Sequence, residues 1–472
     1  MKHLLTPGLC LALVPALAGN LQIKHPTLYV EQDAAYVVVS VSWDDAWYTD
    51  KSHDAAWIFL KLQQADQPGS THLPLLPEGH SIIDPTGELN LTLSVANDGS
   101  GAFFHPRQIF YGDVSATLKL RVPIAAVNNL PAMRTVVKAY GMEMVYIEQG
   151  DFFVGDADTS ALAYGALYQP NAQGAFDGPA RIAREDKSLT VAPGGDLYYR
   201  SPSRQHYEGD QTGIIPPTFP KGVQAFWMMK YEIQEGNYAA FLNALSAEQA
   251  KARFPGTEEG YYEGGGTLTL SEGEYQSTDP TRPSRWLSWD DAMAFADWAG
   301  LRPMTEFEYT KAARGRGQVL PKEYPWGATE KVFVQRITTG DFQLVMQNGW
   351  DEGELSDEHA VFFGASYYWV FDLSGSVWER VVSIGHPTGR AFTGTHGDGV
   401  LDEQGLANVD TWPTGDPQGG GVGFRGGGYY GNDRSYHEFN PYSPIAYRPY
   451  GGWHGTMRSI AYGTRLVRTA DK

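Results

Sequence analysis

Residues Pro283 to Gly315, PSRWLSWDDAMAFADWAGLRPMTEFEYTKAARG, contain two helix starts of the same kind. Ser288 is followed three residues later by Asp291, and Thr305 is followed three residues later by Glu308. This is the spacing of a capping box, in which the hydroxyl and the carboxylate accept hydrogen bonds from free backbone N–H groups. We therefore predict a helix after Ser288 and a second helix that ends near the final glycine of the stretch. The first helix would place these apolar residues on one face: Ala292, Met293, Ala296 and Ala299.

Six further blocks accompany this stretch along the chain. They are Met144 to Asp156 (MVYIEQGDFFVGD), Phe226 to Leu242 (FWMMKYEIQEGNYAAFL), Tyr324 to Gly327 (YPWG), Phe371 to Arg380 (FDLSGSVWER), Phe424 to Tyr430 (FRGGGYY) and Tyr462 to Arg468 (YGTRLVR). The seven blocks in this order resemble the formylglycine-generating enzyme family, also called sulfatase-modifying factors. The resemblance covers about residues 140 to 470, and it implies an α+β body with a variant of the C-type lectin-like fold.

The chain before this region has short strand-like runs separated by turns. The runs are Ala35 to Trp43, Ala56 to Leu62, Leu89 to Val95 and Ala116 to Val122. The last run stops at Pro123, which has no N–H group for a strand ladder. We predict a small all-β sandwich domain at residues 19–132 and a formylglycine-generating-enzyme-like domain at residues 133–472. Trp43, Trp47 and Trp57 are expected in the core or at the domain interface, and a ligand platform is the alternative.

Residues 1–18 have the features of a signal peptide. Lys2 and His3 precede a mostly apolar stretch, and Pro15 to Ala18 resembles a processing site, so cleavage is expected before Gly19. An uncleaved membrane anchor is the alternative, but roughly 11 apolar residues are too few to span a bilayer. The predicted location is therefore secreted, cell-surface or periplasmic.

The charge of the chain limits its partners. The formal net charge is -19, and a nucleic acid or an anionic membrane would need a cationic surface. We therefore expect no nucleic-acid partner, and no later stretch is apolar enough for a transmembrane segment. Divalent cations match this negative charge better than those anionic partners do.

The cysteine content bears on catalysis. Cys10, in the predicted signal peptide, is the single cysteine of the 472 residues. The family resemblance implies two cysteines that bind copper(I) and support the oxidation of a substrate cysteine to formylglycine. Their positions fall here on Gly431 and Tyr436, and copper(I) requires soft thiolate ligands. This argues against copper and predicts a pseudoenzyme, because no other cysteine of the mature chain could correct an alignment error.

The same resemblance implies a structural calcium loop at Phe371 to Arg380. Its ligands would be the side chains of Asp372 and Glu379 and the backbone carbonyls of Gly375 and Val377. Carboxylates and carbonyls are the oxygen ligands that calcium prefers. In the alternative interpretation, Glu379 only accepts hydrogen bonds from N–H groups of the loop.

Several residues near the lost cysteine positions are candidates for a binding pocket. They are Tyr430, Gly431, Tyr436, His437 and Trp453, with Tyr447 and Tyr450 as further aromatic candidates. His437 and His454 could flank this pocket. The 12 histidines of the chain do not show the spacing of a metal-binding motif, so a structural role is expected for them.

Two insertions, at about residues 157–221 and 394–423, are candidate binding loops.

Three functions remain open. The protein could be a non-catalytic module that binds an extracellular protein, peptide or glycan, and this is the interpretation that we favour. It could be a structural subunit that self-assembles at the cell surface. It could also be an enzyme of the family with an altered active site that acts in the maturation of an exported protein.

Overall fold

The computed structural model describes residues 21–471, except for residues 66, 129, 131–134, 201–208, 330–336, 339–343, 346–359, 362, 416–419 and 429–438. The predicted signal peptide lies outside the described residues. The architecture is mostly β with a few short helices, which is an α+β arrangement. No helix in the described part of the chain has the length and apolar character needed to span a bilayer.

The regular elements follow one another in three groups. The first strands are β1 (Gln22–Glu31), β2 (Ala34–Tyr48), β3 (Asp54–Gln64), β4 (Ser70–Leu73), β5 (Ser81–Ile83), β6 (Leu91–Val95), β7 (Ala102–Pro106), β8 (Phe110–Val122) and β9 (Thr135–Ile147). Short strands follow, namely β10 (Phe152–Val154), β11 (Gln169–Pro170), β12 (Phe176–Gly178), β13 (Ala180–Ile182), β14 (Leu189–Val191), β15 (Gly213–Ile215) and β16 (Phe226–Met229). The last group is α1 (Glu235–Leu242), α2 (Ala247–Arg253), β17 (Leu268–Ser271), β18 (Glu274–Ser277), α3 (Trp289–Trp298), β19 (Arg302–Pro303), α4 (Glu306–Arg314), β20 (Ile337–Thr338), β21 (Leu344–Val345), β22 (Trp378–Val382), α5 (Pro387–Arg390), β23 (Val422–Arg425), β24 (Tyr462–Gly463) and β25 (Leu466–Thr469).

The helix predictions are confirmed by both N-termini. The Ser288 side chain accepts a hydrogen bond from the N–H of Asp291, whose carboxylate accepts one in return from the N–H of Ser288. Thr305 and Glu308 form the same pair at the start of α4, which ends at Gly315. The four apolar residues predicted for one face of the first helix are all buried.

The four predicted strand runs are confirmed as β2, β3, β6 and β8. Strands β1, β2, β8 and β5 form one antiparallel sheet in that spatial order. Alternate residues of β2 and β8 pack in one core with Ala56, Ile58, Leu60 and Leu62 of β3. The residues between them on β3, Ala55, Trp57 and Phe59, belong to a different core. Strand β3 is therefore buried on both faces, and its two faces serve two cores.

A second sheet of eight strands joins the two parts of the chain. Its order is β19, β25, β16, β9, β3, β7 and β6, and β4 also pairs with β3. Strand β9, which follows residue 132, pairs with β3 from Thr135 to Val145 and with β16 from Met144 to Ile147. The hydrogen-bonded sheet thus continues across the predicted boundary at residue 132. The separate β-sandwich domain and the C-type lectin-like classification stay predictions.

The three tryptophans of the N-terminal region lie inside the protein. Trp43, Trp47 and Trp57 are each at most 1% exposed, which confirms the core interpretation. The indole Nε1 of Trp57 donates to the carbonyl oxygen of Ala299 at 2.9 Å, just after α3. This tryptophan therefore links the N-terminal strands to the helical part of the chain.

A buried ion triad lies where β3, β9 and β16 meet. The ammonium of Lys230, which follows β16, is 3.1 Å from Oδ2 of Asp54 and 2.9 Å from Oε2 of Glu143. All three side chains are almost completely buried. Burial raises the pKa of Glu143 to about 7, although the positive charge of Lys230 opposes this shift. Buried charges of this kind are costly unless every partner is present.

We expect the substitution Lys230→Met to be strongly destabilising. It leaves the carboxylates of Asp54 and Glu143 buried without their cation, a loss of about 3–5 kcal/mol in the free energy of unfolding. Urea titration followed by tryptophan fluorescence measures this change. The matched control is Lys187→Met, which removes the exposed ion pair with Asp196 at 3.5 Å and should cost about 1 kcal/mol or less. Equal effects of the two substitutions would contradict the prediction.

A stack of aromatic rings covers the Trp227 end of the same sheet. The ring of His53 lies between Tyr48 at 4.5 Å and Tyr146 at 4.9 Å, and its edge meets Trp227 at 5.2 Å. The ring of His105 is 4.6 Å away. Burial, with a smaller effect of His105, lowers the pKa of His53 to about 2. The folded protein therefore holds this imidazole in its neutral form.

We expect His53 to make the fold sensitive to acid. The unfolded chain takes up a proton on this ring below about pH 6.5, but the folded protein does not, so stability falls as the pH falls. His53 is expected to lower the free energy of unfolding by about 1.4 kcal/mol for each pH unit below about pH 6.5. His53→Phe should reduce the slope of unfolding free energy against pH between about pH 6.5 and pH 4. The exposed His25 gives the control His25→Phe, and an unchanged slope in His53→Phe would refute the assignment.

Candidate functional site

The predicted calcium loop is a tight turn that leads into β22. Asp372 and Ser376 have positive φ angles of 61° and 58°, and Gly375 has a φ of 101°. A Cβ atom at Gly375 would lie 2.6 Å from the ring of Tyr442, so only glycine fits at this position. The hydroxyl of Tyr309 donates to the carbonyl of Leu373 and holds the turn from the side of α4.

The four predicted loop residues lie together in a buried region. Val377 and Glu379 are fully buried, and Asp372 is 9% exposed. The carboxylate of Glu379 accepts two hydrogen bonds from the guanidinium of Arg465, at 2.6 and 2.9 Å. Burial raises the pKa of Glu379, although Arg465 opposes this shift. Each carboxylate oxygen keeps a second lone pair that the ion pair does not use.

Glu232 is a neighbour of the loop that the sequence analysis did not single out. It is 1% exposed, and its Oε2 lies 3.7 Å from Nη2 of Arg465. Burial, and then the charge of Asp372, raise the pKa of Glu232 well above its ordinary value. The signal in the sequence was an acidic residue inside the apolar block Phe226 to Leu242. Acidic residues are rarely buried, so a glutamate there indicates a specific partner.

The acidic side chains of the loop do not form a metal site built from three or more side-chain ligands. Within the described ranges, no group of three or more histidine, cysteine, aspartate or glutamate side chains has the arrangement of a metal site. A calcium ion at the loop would therefore depend on two carboxylates and on backbone carbonyls. That donor set consists of oxygen atoms only, which suits a hard cation.

The second predicted site is only partly within the described residues. Tyr430, Gly431, Tyr436 and His437 lie outside them. Trp453 is half-buried and packs against Tyr450, with the ring centres 5.5 Å apart.

The other aromatic candidates separate into two places. The edge of the Tyr450 ring meets the ring of Trp378 at 4.9 Å, next to the loop. Tyr447 instead stacks on Tyr164 at 4.3 Å, in a different cluster. The structure thus brings Trp453 and Tyr450 together and places Tyr447 elsewhere.

The fold and the loop define an α+β protein in which α2, α3 and α4 begin at capping boxes and a buried arginine pairs with Glu379 beside the acidic turn. The family model of the Sulfatase-modifying factor enzyme 1-like domain matches residues 175–470, which is more than half of the chain. The chain belongs to this family of formylglycine-generating-enzyme-like proteins.

Similar proteins include both active and inactive members by name. A formylglycine-generating enzyme of Thermomonospora curvata is 27% identical over 231 residues, which is 43% of this chain and 74% of that protein. The "Inactive C-alpha-formylglycine-generating enzyme 2" of Mus musculus is 34% identical over 118 residues, or 25% of this chain and 37% of that protein. A formylglycine-generating enzyme of Streptomyces coelicolor is 30% identical over 161 residues, covering 33% of this chain and 44% of the enzyme. The alignments with the mouse and Streptomyces proteins span less than half of those proteins.

Proposed function

We propose that this protein is an exported, non-catalytic member of the family, which acts outside the cell as a binding or surface-assembly module and is stabilised by calcium. The observation that carries the proposal is the cysteine content. With Cys10 as its single cysteine, the chain has no pair of thiolates for copper(I). This argument is independent of the alignment at Gly431 and Tyr436. It also holds whether or not the signal peptide is removed.

The comparisons and the insertions support a binding role. The relative in mouse is named inactive, so the family includes members that are described without the activity. The insertion at residues 157–221 forms small two-stranded sheets in its described part, including β11 with β12 and β14 with β15. Ordered insertions of this size are frequent carriers of binding surfaces. We infer a partner of the protein, peptide or glycan class.

We expect no formylglycine production by the purified protein. The test incubates it with copper(I), oxygen and a cysteine-containing peptide, and detects the aldehyde by mass spectrometry and by a hydrazide probe. The Thermomonospora curvata enzyme serves as the positive control. Formation of the aldehyde at a rate that scales with this protein would overturn the non-catalytic proposal. It would favour an enzyme with an altered active site that matures an exported protein.

The support for calcium comes from the loop Phe371 to Arg380. Asp372, Gly375 and Val377 lie in one buried turn, and Glu379 lies at the start of β22 directly after it. A calcium ion there would hold the turn that leads into β22, the strand that pairs with both β23 and β24. Its role in this proposal is structural.

We expect calcium to raise the melting temperature and a chelator to lower it. A ligand at 100 times its dissociation constant stabilises a protein by about 2.7 kcal/mol. Asp372→Ala should abolish the calcium-dependent shift, because it removes one of the two carboxylates. Ser376→Ala is the matched control, since it has a similar positive φ and keeps both carboxylates. If neither calcium nor a chelator changes the melting temperature of the unsubstituted protein, the result would contradict the proposal.

A further inference from the structure

A small cavity lies between the start of the first described strand, β9 and α1. Its volume is about 10 Å³, which is room for one water molecule or one metal ion. Leu21 and Met142 contribute apolar walls. The polar residues of the lining include Glu143, Glu232 and Asn237. Neither Asp372 nor Glu379 lines it, so the cavity is distinct from the calcium loop.

Three carboxylate oxygens at this cavity have no hydrogen-bond partner in the described part of the chain. They are Oε1 of Glu143 and both Oε atoms of Glu232. The side chains of the two glutamates are only 2% and 1% exposed, so bulk water does not reach them. The other oxygen of Glu143 accepts from Lys230 at 2.9 Å. Buried oxygens without partners are costly, which indicates that something else satisfies them.

The charges around the cavity do not balance. If all three are ionised, Asp54, Glu143 and Glu232 carry three negative charges, and Lys230 supplies one positive charge. Arg465 does not close the gap, because both of its near hydrogen bonds go to Glu379 and it lies 3.7 Å from Glu232. Ionisation of all three carboxylates would therefore leave two negative charges on buried side chains. A water molecule could donate hydrogen bonds to the free oxygens, but it would leave the charge in place.

We propose that this cavity binds one divalent hard cation of the calcium class, held by the carboxylates of Glu143 and Glu232. The cation satisfies the free oxygens and neutralises both excess charges. The two acidic side chains offer oxygen atoms, which select a hard cation over copper or zinc. Magnesium fits less well, because it usually keeps several water molecules and the cavity has room for about one. The ion connects β9 of the central sheet to the segment that enters α1.

The first test locates the ion directly. Crystals of the whole protein are grown with calcium, and anomalous diffraction is recorded at a long wavelength. We expect an anomalous peak in the cavity between Glu143 and Glu232, in addition to any peak at the loop. A water molecule without anomalous signal, or an empty cavity with a protonated glutamate, would overturn the inference. This result does not depend on the proposed function, because a peak at the loop is scored separately.

The second test uses metal content after dialysis against calcium, measured by inductively coupled plasma mass spectrometry. Glu143→Gln should lose one equivalent of calcium. Asp54→Asn is the matched control, because it removes a charge from the same ion triad but does not line the cavity, and it should keep that equivalent. Asp372→Ala should lose only the loop ion. Unchanged calcium in Glu143→Gln would refute the site, and a failure of this variant to fold leaves the crystallographic test to decide.

Discussion

The ion triad of Lys230, Asp54 and Glu143 is the constraint on which the rest of the structure depends. Asp54 and Glu143 lie on the adjacent strands β3 and β9, and Lys230 directly follows β16, so the triad forms only when these three strands are in their observed register. The backbone of Lys230 adds two further links. Its N–H donates to the backbone carbonyl of Glu143, and its carbonyl accepts from the N–H of Phe371, both at 3.0 Å. Phe371 begins the acidic loop. A single lysine thus connects the N-terminal strands, the central sheet and the candidate metal site.

Local sequence patterns account for the elements but not for the way they pair. The capping boxes at Ser288 and Thr305 were predictable because both partners lie within one turn. The pairing of β3 with β9 was not, because the two strands lie far apart along the chain. The burial of both faces of β3 was also not predictable from its sequence, because the strand contains a charged residue. That residue is Lys61, whose ammonium donates to the carbonyl of Gly399 at 2.6 Å. The sequence predicted a strand here, and the buried lysine has no local signature.

The candidate metal site shows the same difference between local sequence patterns and contacts that form only in the folded chain. The order of Asp372, Gly375 and Glu379 was available from the resemblance, because these residues lie in one short block. Arg465 and Glu232 were not predicted as members, because their relation to the loop exists only in the folded chain. Each is one of only two charged residues in a mostly apolar block, YGTRLVR or FWMMKYEI. A charge at such a place indicates a buried partner, but it does not identify the partner.

The scaffold explains how the family's fold can persist without its cysteines. Buried arginines hold the loops of this chain through backbone carbonyls and carboxylates. Arg380 donates to the carbonyls of Leu287, Gly455 and Met457, and Arg448 pairs with Glu306 inside the protein. These contacts are charge-assisted hydrogen bonds, which are stronger than neutral ones and costly to break when buried. None of them needs a thiol or a copper ion. The interactions that maintain the fold are therefore compatible with the non-catalytic function that we propose.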